Sequence, residues 1–456
     1  MIKNKFNQVV AKLLKPEFNR NVLTLMTGST ISLAIPIAIS PILTRIYTPE
    51  DFGVFSLYLA ITTIIAVVAT GRYELAIMLP KKDVYASDIL ILSLIVSLII
   101  SLITFLIIFF FNSQITNILG SQEISQWLYL LPFSILLVGF YNSFTYWINR
   151  KKKYKKMAQN KVIQSGSMAT MQVSLGLLKN NNNNGLIIGW FFGQLIAVIS
   201  LARLVWREDK NKINNTSLLK MWSLAKRYKK FPLINSWSGL LNTASRQVPI
   251  ILLTTFFSTI VTGFFSLAQR ILLIPMTLLG NTIGQVYFQK VSNLKNEKYK
   301  VKKITLEINK KLLLIGLLPI SIIILWGDTL FALVFGQSWK EAGEYAKVLS
   351  VWIYFVFITS PLTHLLIVYE KHFELILFNI FLFLSRTSVL FIGWWMAKDA
   401  LTVITVFGIV GAAAWCVLIF RLMKIVGVSY LDTFRQISIY MIIILSLFTW
   451  DAFIEF

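Results

Sequence analysis

Runs of about 20 apolar residues recur along the whole chain, separated by short stretches rich in Lys and Arg. A run of that length crosses the hydrocarbon core once as a helix, with all its backbone hydrogen bonds internal. The pattern predicts helices over 21–45, 54–79, 88–111, 127–148, 160–178, 186–206, 231–257, 261–288, 305–330, 346–368, 374–396, 403–424 and 436–455. The fold class is therefore an all-α polytopic membrane protein with about 12–13 transmembrane helices. Gly53-Val54-Phe55-Ser56-Leu57 reappears as Gly263-Phe264-Phe265-Ser266-Leu267, each time opening the second helix of a half. Six helices per half is an even number, so the halves are expected to be parallel repeats with a substrate site between them. The expected parts are a first six-helix lobe over 1–206, a linker over 207–230, a second lobe over 231–424, and a tail over 425–456 with an extra helix.

Composition agrees with the pattern. Of 456 residues 56% are hydrophobic, and the mean hydropathy is +0.70, more apolar surface than a soluble core absorbs. Lys and Arg divide 35 to 5 between alternate sides of the predicted spans, which puts the N-terminus in the cytoplasm. The net charge of +24 thus sets orientation and does not argue for nucleic acid. Cys416 is the single cysteine, which excludes an internal disulfide, and His364 and His372 are too few for a His-rich metal site. Met1–Arg20 is basic, but the apolar run after it is too long for a signal peptide and is expected to stay as the first helix. The asparagine tract 180–184 reads as an insertion in an outer loop.

What remains is charge at depth. Arg72, Arg246, Arg270 and Arg386 lie inside predicted spans, and Glu74 is the one obvious acid there. Such a charge costs roughly 2.5–3.5 kcal/mol on insertion scales, so it is expected to face a water-filled cavity or a partner. The excess is positive, so the partner is expected to be an anion. The seventh span places Asn235, Ser238, Asn242, Ser245 and Arg246 on one face. The eighth adds Gln269 and Arg270, then Asn281 and Gln285. The eleventh carries Asn379 and Arg386 seven residues apart. The bland reading of the small and hydroxyl residues is close helix packing, which suits the stripe Thr24, Gly28, Ser32, Pro36 and Ser40 in the first span. Packing does not need a central arginine, so Arg246 and Arg270 are expected in the cavity, whereas Arg386 divides between cavity and structure. Residues two apart on a helix do not face each other, so no direct Arg72–Glu74 bridge is expected. His364 is expected to pack between helices. Prolines 36, 41, 232, 249, 275, 319 and 361 mark candidate kinks.

The stretch LTRIYTPEDFGVFSLYLAI at 43–61, followed by GRYELAIMLP at 71–80, resembles the polysaccharide-biosynthesis (Wzx-type) flippases, as does FGQSWKEA at 335–342. The resemblance covers most of the chain and includes Arg45, Arg72 and Glu74. It implies two six-helix lobes around a central cationic cavity that work by alternating access. The substrate it implies is a polyprenyl-pyrophosphate-linked oligosaccharide, moved through the bacterial cytoplasmic (inner) membrane for O-antigen, capsule or another polymer. On this reading Arg246, Arg270, Arg386, Asn242, Asn235 and Gln269 line the cavity, and Arg45, Arg72 and Glu74 form a gate, ion pair or coupling site. No catalytic residue, metal or cofactor is expected; a coupling ion, H⁺ or Na⁺, stays open. The partners are that substrate and membrane lipid, with a polysaccharide polymerase and assembly proteins as further candidates.

Competing readings explain less. A multidrug exporter of the same fold, taking cationic drugs, would favour carboxylates in its cavity. A membrane glycosyltransferase could use Glu50 and Asp51 in the first outer loop, but it usually needs a larger outer domain; acids at that place also suit a helix N-terminus. A passive scaffold leaves the buried arginines unexplained.

Overall fold

With no water to satisfy a bare peptide group, a lipid-spanning chain closes its hydrogen bonds within each segment. A computed structural model describes residues 16–178, 185–213, 217–275 and 279–454; every described regular element is a helix or a helical turn. The basic stretch 1–15 and the asparagine tract lie outside the described residues.

In chain order the first helices are α1 (Pro16–Ala38), α2 (Ser40–Ile46), α3 (Pro49–Ala66), α4 (Tyr73–Ala76), α5 (Asp83–Leu119), α6 (Ser125–Leu128), α7 (Leu131–Arg150), α8 (Tyr154–Leu177), α9 (Gly185–Ile213) and α10 (Leu218–Arg227). A π turn, Phe231–Asn235, leads into α11 (Ser236–Phe256). Then follow α12 (Thr259–Pro275), α13 (Asn281–Asn293), α14 (Lys298–Phe335), α15 (Lys340–Thr359), α16 (His364–Val368), α17 (His372–Met396), α18 (Ala400–Ile425) and α19 (Tyr430–Ile454).

Among the described residues ten segments are long and apolar enough to cross a membrane, and Thr259–Ile274 is a shorter apolar helix. The protein is thus a multi-pass membrane protein. Two predicted spans, 160–178 and 231–257, are helical but too polar to stand among the ten. Lysines and glutamines dilute α8, and the Asn–Ser–Arg stripe dilutes α11. Of the predicted span 261–288, α12 is described as far as Pro275 and the chain again from 279, where a π turn leads into α13. Pro36 and Pro41 flank the break between α1 and α2, where the Ser40 hydroxyl donates to the Pro36 carbonyl at 2.6 Å. The kinks inside α5 and α14 fall elsewhere, at Phe111 (φ −121°) and Trp326 (φ −134°).

The chain folds as two compact units that interleave in sequence: residues 1–47 with 57–247, and residues 48–56 with 248–456. In the first, α8 packs on α1 and α9, and α5 packs on α7. Small residues allow the approach. A methyl group added at Gly28 would strike Ala158, and one at Gly139 would strike the Ser97 side chain. Ser93 donates to the Ser143 hydroxyl at 2.8 Å and Ser101 to the Pro132 carbonyl at 2.8 Å. These are the helix contacts expected where lipid supplies no hydrophobic drive between helices.

In the second unit the well-buried α15 packs on α12, α14 and α18. The two copies of the repeated motif meet here. A methyl group at Gly53 would strike the Thr259 carbonyl, and one at Gly263 would strike the Pro49 carbonyl and stand 3.2 Å from the Gly53 nitrogen. Phe52 and Phe264 both pack on Trp339, with ring centroids 4.8 and 6.0 Å away.

Candidate functional site: an arginine track in the first unit

The track starts where α3 ends. The chain turns through residues 67–72, and Gly71 (φ 57°) and Arg72 (φ 59°) are both left-handed. That conformation costs a residue with a Cβ roughly 1–2 kcal/mol. It also undoes the helical geometry assumed for Arg72 and Glu74. The expectation of no direct bridge is corrected: Arg72 Nη1 lies 3.7 Å from Glu74 Oε1, because Arg72 precedes α4 and does not belong to it. Glu74 is 3% exposed, and the Thr70 hydroxyl donates to its other oxygen. At 3.7 Å the pair attracts but is too long for a hydrogen bond, so the guanidinium keeps donors for another anion.

Arg72 leans on α11. A methyl group added at Gly239 would strike its Nη2 atom. Gly239, Asn242 and Arg246 follow at spacings of three and four, so they share one face of α11. From Gly239 to Arg246 is seven residues, about 10 Å of helix rise. Asn235, Asn242 and Arg246 are exposed, and Ser245 turns its hydroxyl back to the Asn242 carbonyl at 2.8 Å. No carboxylate among the described residues pairs with Arg246. Pro249, one turn on, has no N–H to offer the Ser245 carbonyl. Two guanidinium groups and two asparagine amides thus lie along one surface of the first unit. Among the described residues the buried acid paired with this surface is Glu74, through Arg72.

The other expected residues are placed as follows. Arg45 is exposed in the last turn of α2. Gln269 and Arg270 are half-buried on α12, in the second unit; no ion pair holds Arg270 among the described residues. Arg386, left open between cavity and structure, packs in the second unit against aromatic rings. Its Cζ lies 4.3 Å from the Trp352 centroid and 5.5 Å from that of Phe407. A stacked pair of this kind contributes about 0.5–2 kcal/mol. His364 packs beside the Phe288 ring at 5.2 Å.

Sequence reasoning passed over three features. Gly239 has no side chain to draw notice; its one signal is its place in the spacing between Asn235 and Asn242. Thr70 lies one helical turn before Glu74. Lys347, counted with an outer loop, is buried in α15 with Nζ 3.1 Å from Asp328 on α14. A hydropathy boundary drawn across that turn hides both partners. Glu50 and Asp51 are accounted for locally. Asp51 accepts from the Thr48 backbone N–H and hydroxyl, each at 2.8 Å, and the Asp51 N–H donates back to Thr48 Oγ1 at 3.2 Å. This capping box starts α3, and Glu50 accepts from the Thr259 hydroxyl at 3.3 Å.

Among solved structures the chain is similar to an inward-facing multidrug resistance MATE family transporter of the MOP superfamily, at 16% identity and TM-score 0.70, over 87% of this chain and 94% of that one. It is similar to the lipid II flippase MurJ in an inward closed conformation, at 13% identity and TM-score 0.68, over 93% and 98%. A third is a MOP superfamily transporter from Pyrococcus furiosus whose binding pocket is described as of reverse polarity, at 15% identity and TM-score 0.58, over 89% and 95%. At these identities the likeness is one of fold. No functionally curated protein matches the chain. The polysaccharide biosynthesis protein family model matches residues 42–344, which include α3, α4, the turn holding Arg72 and the whole of α11. The chain, whose fold is similar to those of a MATE family transporter and of MurJ, belongs to the polysaccharide biosynthesis protein family.

Proposed function

We propose that this flippase moves a polyprenyl-pyrophosphate-linked oligosaccharide repeat unit across the bacterial cytoplasmic membrane by alternating access, for surface polysaccharide assembly. The observation that carries this reading is the surface of Arg72, Gly239, Asn242 and Arg246, cationic and polar, with one buried carboxylate. A pyrophosphate cannot cross hydrocarbon unaided, and planar guanidinium groups bind it through paired hydrogen bonds. The asparagine amides suit sugar hydroxyls, and the polyprenyl tail stays in lipid. The likeness of fold to the lipid II flippase MurJ supports a lipid-linked cargo.

In this reading 1–206 and 231–424 are the two lobes, joined by 207–230, with an added helix in the tail and the N-terminus cytoplasmic. Arg270 and Gln269 offer the second lobe's polar contribution, and Arg386 backs it from its aromatic seat. Glu74 neutralises Arg72 in one conformation and releases it to the diphosphate in another. Coupling to H⁺ or Na⁺ would run through the same carboxylate. Polymerase and assembly proteins would receive the cargo on the outer side.

The test is export. Arg246→Ala and Arg270→Ala are each expected to lower surface polysaccharide and to accumulate the lipid-linked intermediate. Lys at either place should rescue less than Arg, since a point charge cannot make the paired contact. Normal export by both alanine variants overturns the reading.

A further inference from the structure

The stretch 203–230 holds nine Lys and Arg residues and two acids. Both acids are already engaged. Glu208 pairs with Lys153, and Asp209 accepts from Trp147 Nε1 at 3.0 Å and lies 3.5 Å from Lys151. Lys210, Lys226, Arg227, Lys229 and Lys230 are exposed, with no carboxylate in ion-pair reach among the described residues.

α10 is clamped, so its outward side is fixed. The Ser217 N–H at its head donates to buried Asp88 at 3.3 Å. Met221 is buried, Leu224 joins the cluster of Ala86, Leu90 and Val205, and the Tyr73 hydroxyl donates to the Ala225 carbonyl at 3.3 Å. Left outside, at spacings of three and four, are Leu219, Trp222, Ser223 and Lys226. Leu219 is 84% and Trp222 65% exposed. The Lys226 ammonium lies 5.3 Å from the Trp222 ring centroid, and the pair recurs near the end of α9, where Lys210 lies 5.6 Å from exposed Trp206.

We propose that this face of α10, with the Trp206–Lys210 end of α9, is a docking surface for anionic phospholipid headgroups. Tryptophan with an apolar body and a polar tip favours the headgroup level, and a basic amphipathic helix lies in that plane. Leu219 and Trp222 reach the acyl boundary while the unpaired bases meet phosphates. Charge complementarity commits the surface to anionic lipid: a zwitterionic layer would use the apolar pair and leave the bases idle. α10 leads through Tyr228–Asn235 into α11, so bound lipid would hold the start of the helix that carries Gly239, Asn242 and Arg246. Lipid docking at this face is independent of which substrate is carried.

The full chain with Cys416→Ser and Ser223→Cys, labelled with an environment-sensitive fluorophore, tests it. The protein is placed in nanodiscs of phosphatidylcholine alone or mixed with phosphatidylglycerol, with brominated acyl chains as quencher. Quenching is expected to rise with the anionic fraction and to fall with salt. Lys226→Gln, Arg227→Gln and Lys229→Gln are each expected to weaken the response on the order of fivefold in anionic-lipid midpoint. All three sites are exposed, and circular dichroism with gel filtration checks the fold; Leu219→Ser, which keeps every charge, is expected to lose quenching depth but keep the salt dependence. Equal quenching in both lipids, none in either, or protection only by an added acidic protein overturns the proposal. The readout uses no transport, so its failure and a failure of the export reading are separate outcomes.

Discussion

Arg72 owes its aim to its backbone. Held at φ 59°, it turns its guanidinium toward Glu74 and Gly239, where a helical residue would have pointed elsewhere. Position 239 is therefore tuned for a neighbour's side chain. Gly239→Ala should raise intrinsic helix stability, by about 1 kcal/mol in propensity. The added methyl group meets the mobile end of Arg72, which can shift. The expected outcome is an unchanged or higher melting temperature in detergent together with impaired export, close to that of Arg72→Ala. Normal export by Gly239→Ala would show that the contact does not matter to transport. Arg246 was legible as a charge on a polar helix face. The Arg72–Glu74 pair was not, because spacing arguments assume a helix and two successive left-handed residues end it. Gly239 was silent because its contribution is an absence of atoms.

Between elements, the second unit holds contacts with definite costs. Lys347 and Asp328 tie α15 to α14 in a largely buried pair. Lys347→Met leaves the carboxylate with the Thr329 backbone N–H and the distant ammonium of Lys340, at 3.9 Å, and should destabilise by about 3 kcal/mol, while adding Asp328→Leu should recover most of it. A thermal-melt double-mutant cycle reads this directly. Asp399 caps α18 by accepting from the Thr402 N–H at 2.8 Å, which holds its carboxyl below the usual range. A depressed folded value means that this contribution is present above the unfolded pKa and lost as pH falls through the folded one. Asp399→Ala is expected to cost about 1 kcal/mol at neutral pH, with the difference from wild type shrinking in acid. Gly53→Ala forces a methyl group onto a carbonyl rather than a flexible side chain, so about 1–3 kcal/mol is expected, seen as lower yield and melting temperature. The repeat that contains Gly53 was readable from five residues. That its two copies touch was not, since a repeat fixes equivalence and says nothing of contact.

For the whole molecule, the apolar pattern located the helices, α8 and α11 included, although lysines and glutamines in α8 and the Asn–Ser–Arg stripe in α11 keep these two below the hydropathy of the ten apolar segments. The proposed orientation is tested with single cysteines in a Cys416→Ser background. An impermeant maleimide on intact cells should label Gln122→Cys and Lys398→Cys and spare Ser223→Cys; the reverse pattern overturns it. The interleaving of the units has one more consequence. A chain cut within 207–230 gives two fragments, each holding a segment that packs in the other's unit: 48–56 on the first fragment and 231–247 on the second. Neither fragment can complete its own core. Co-produced, the two should reassemble as an obligate pair by mutual loan of helix segments, while either alone is degraded. The molecule is thus wired as a reciprocal swap within one polypeptide, and a split-protein reporter would read it out.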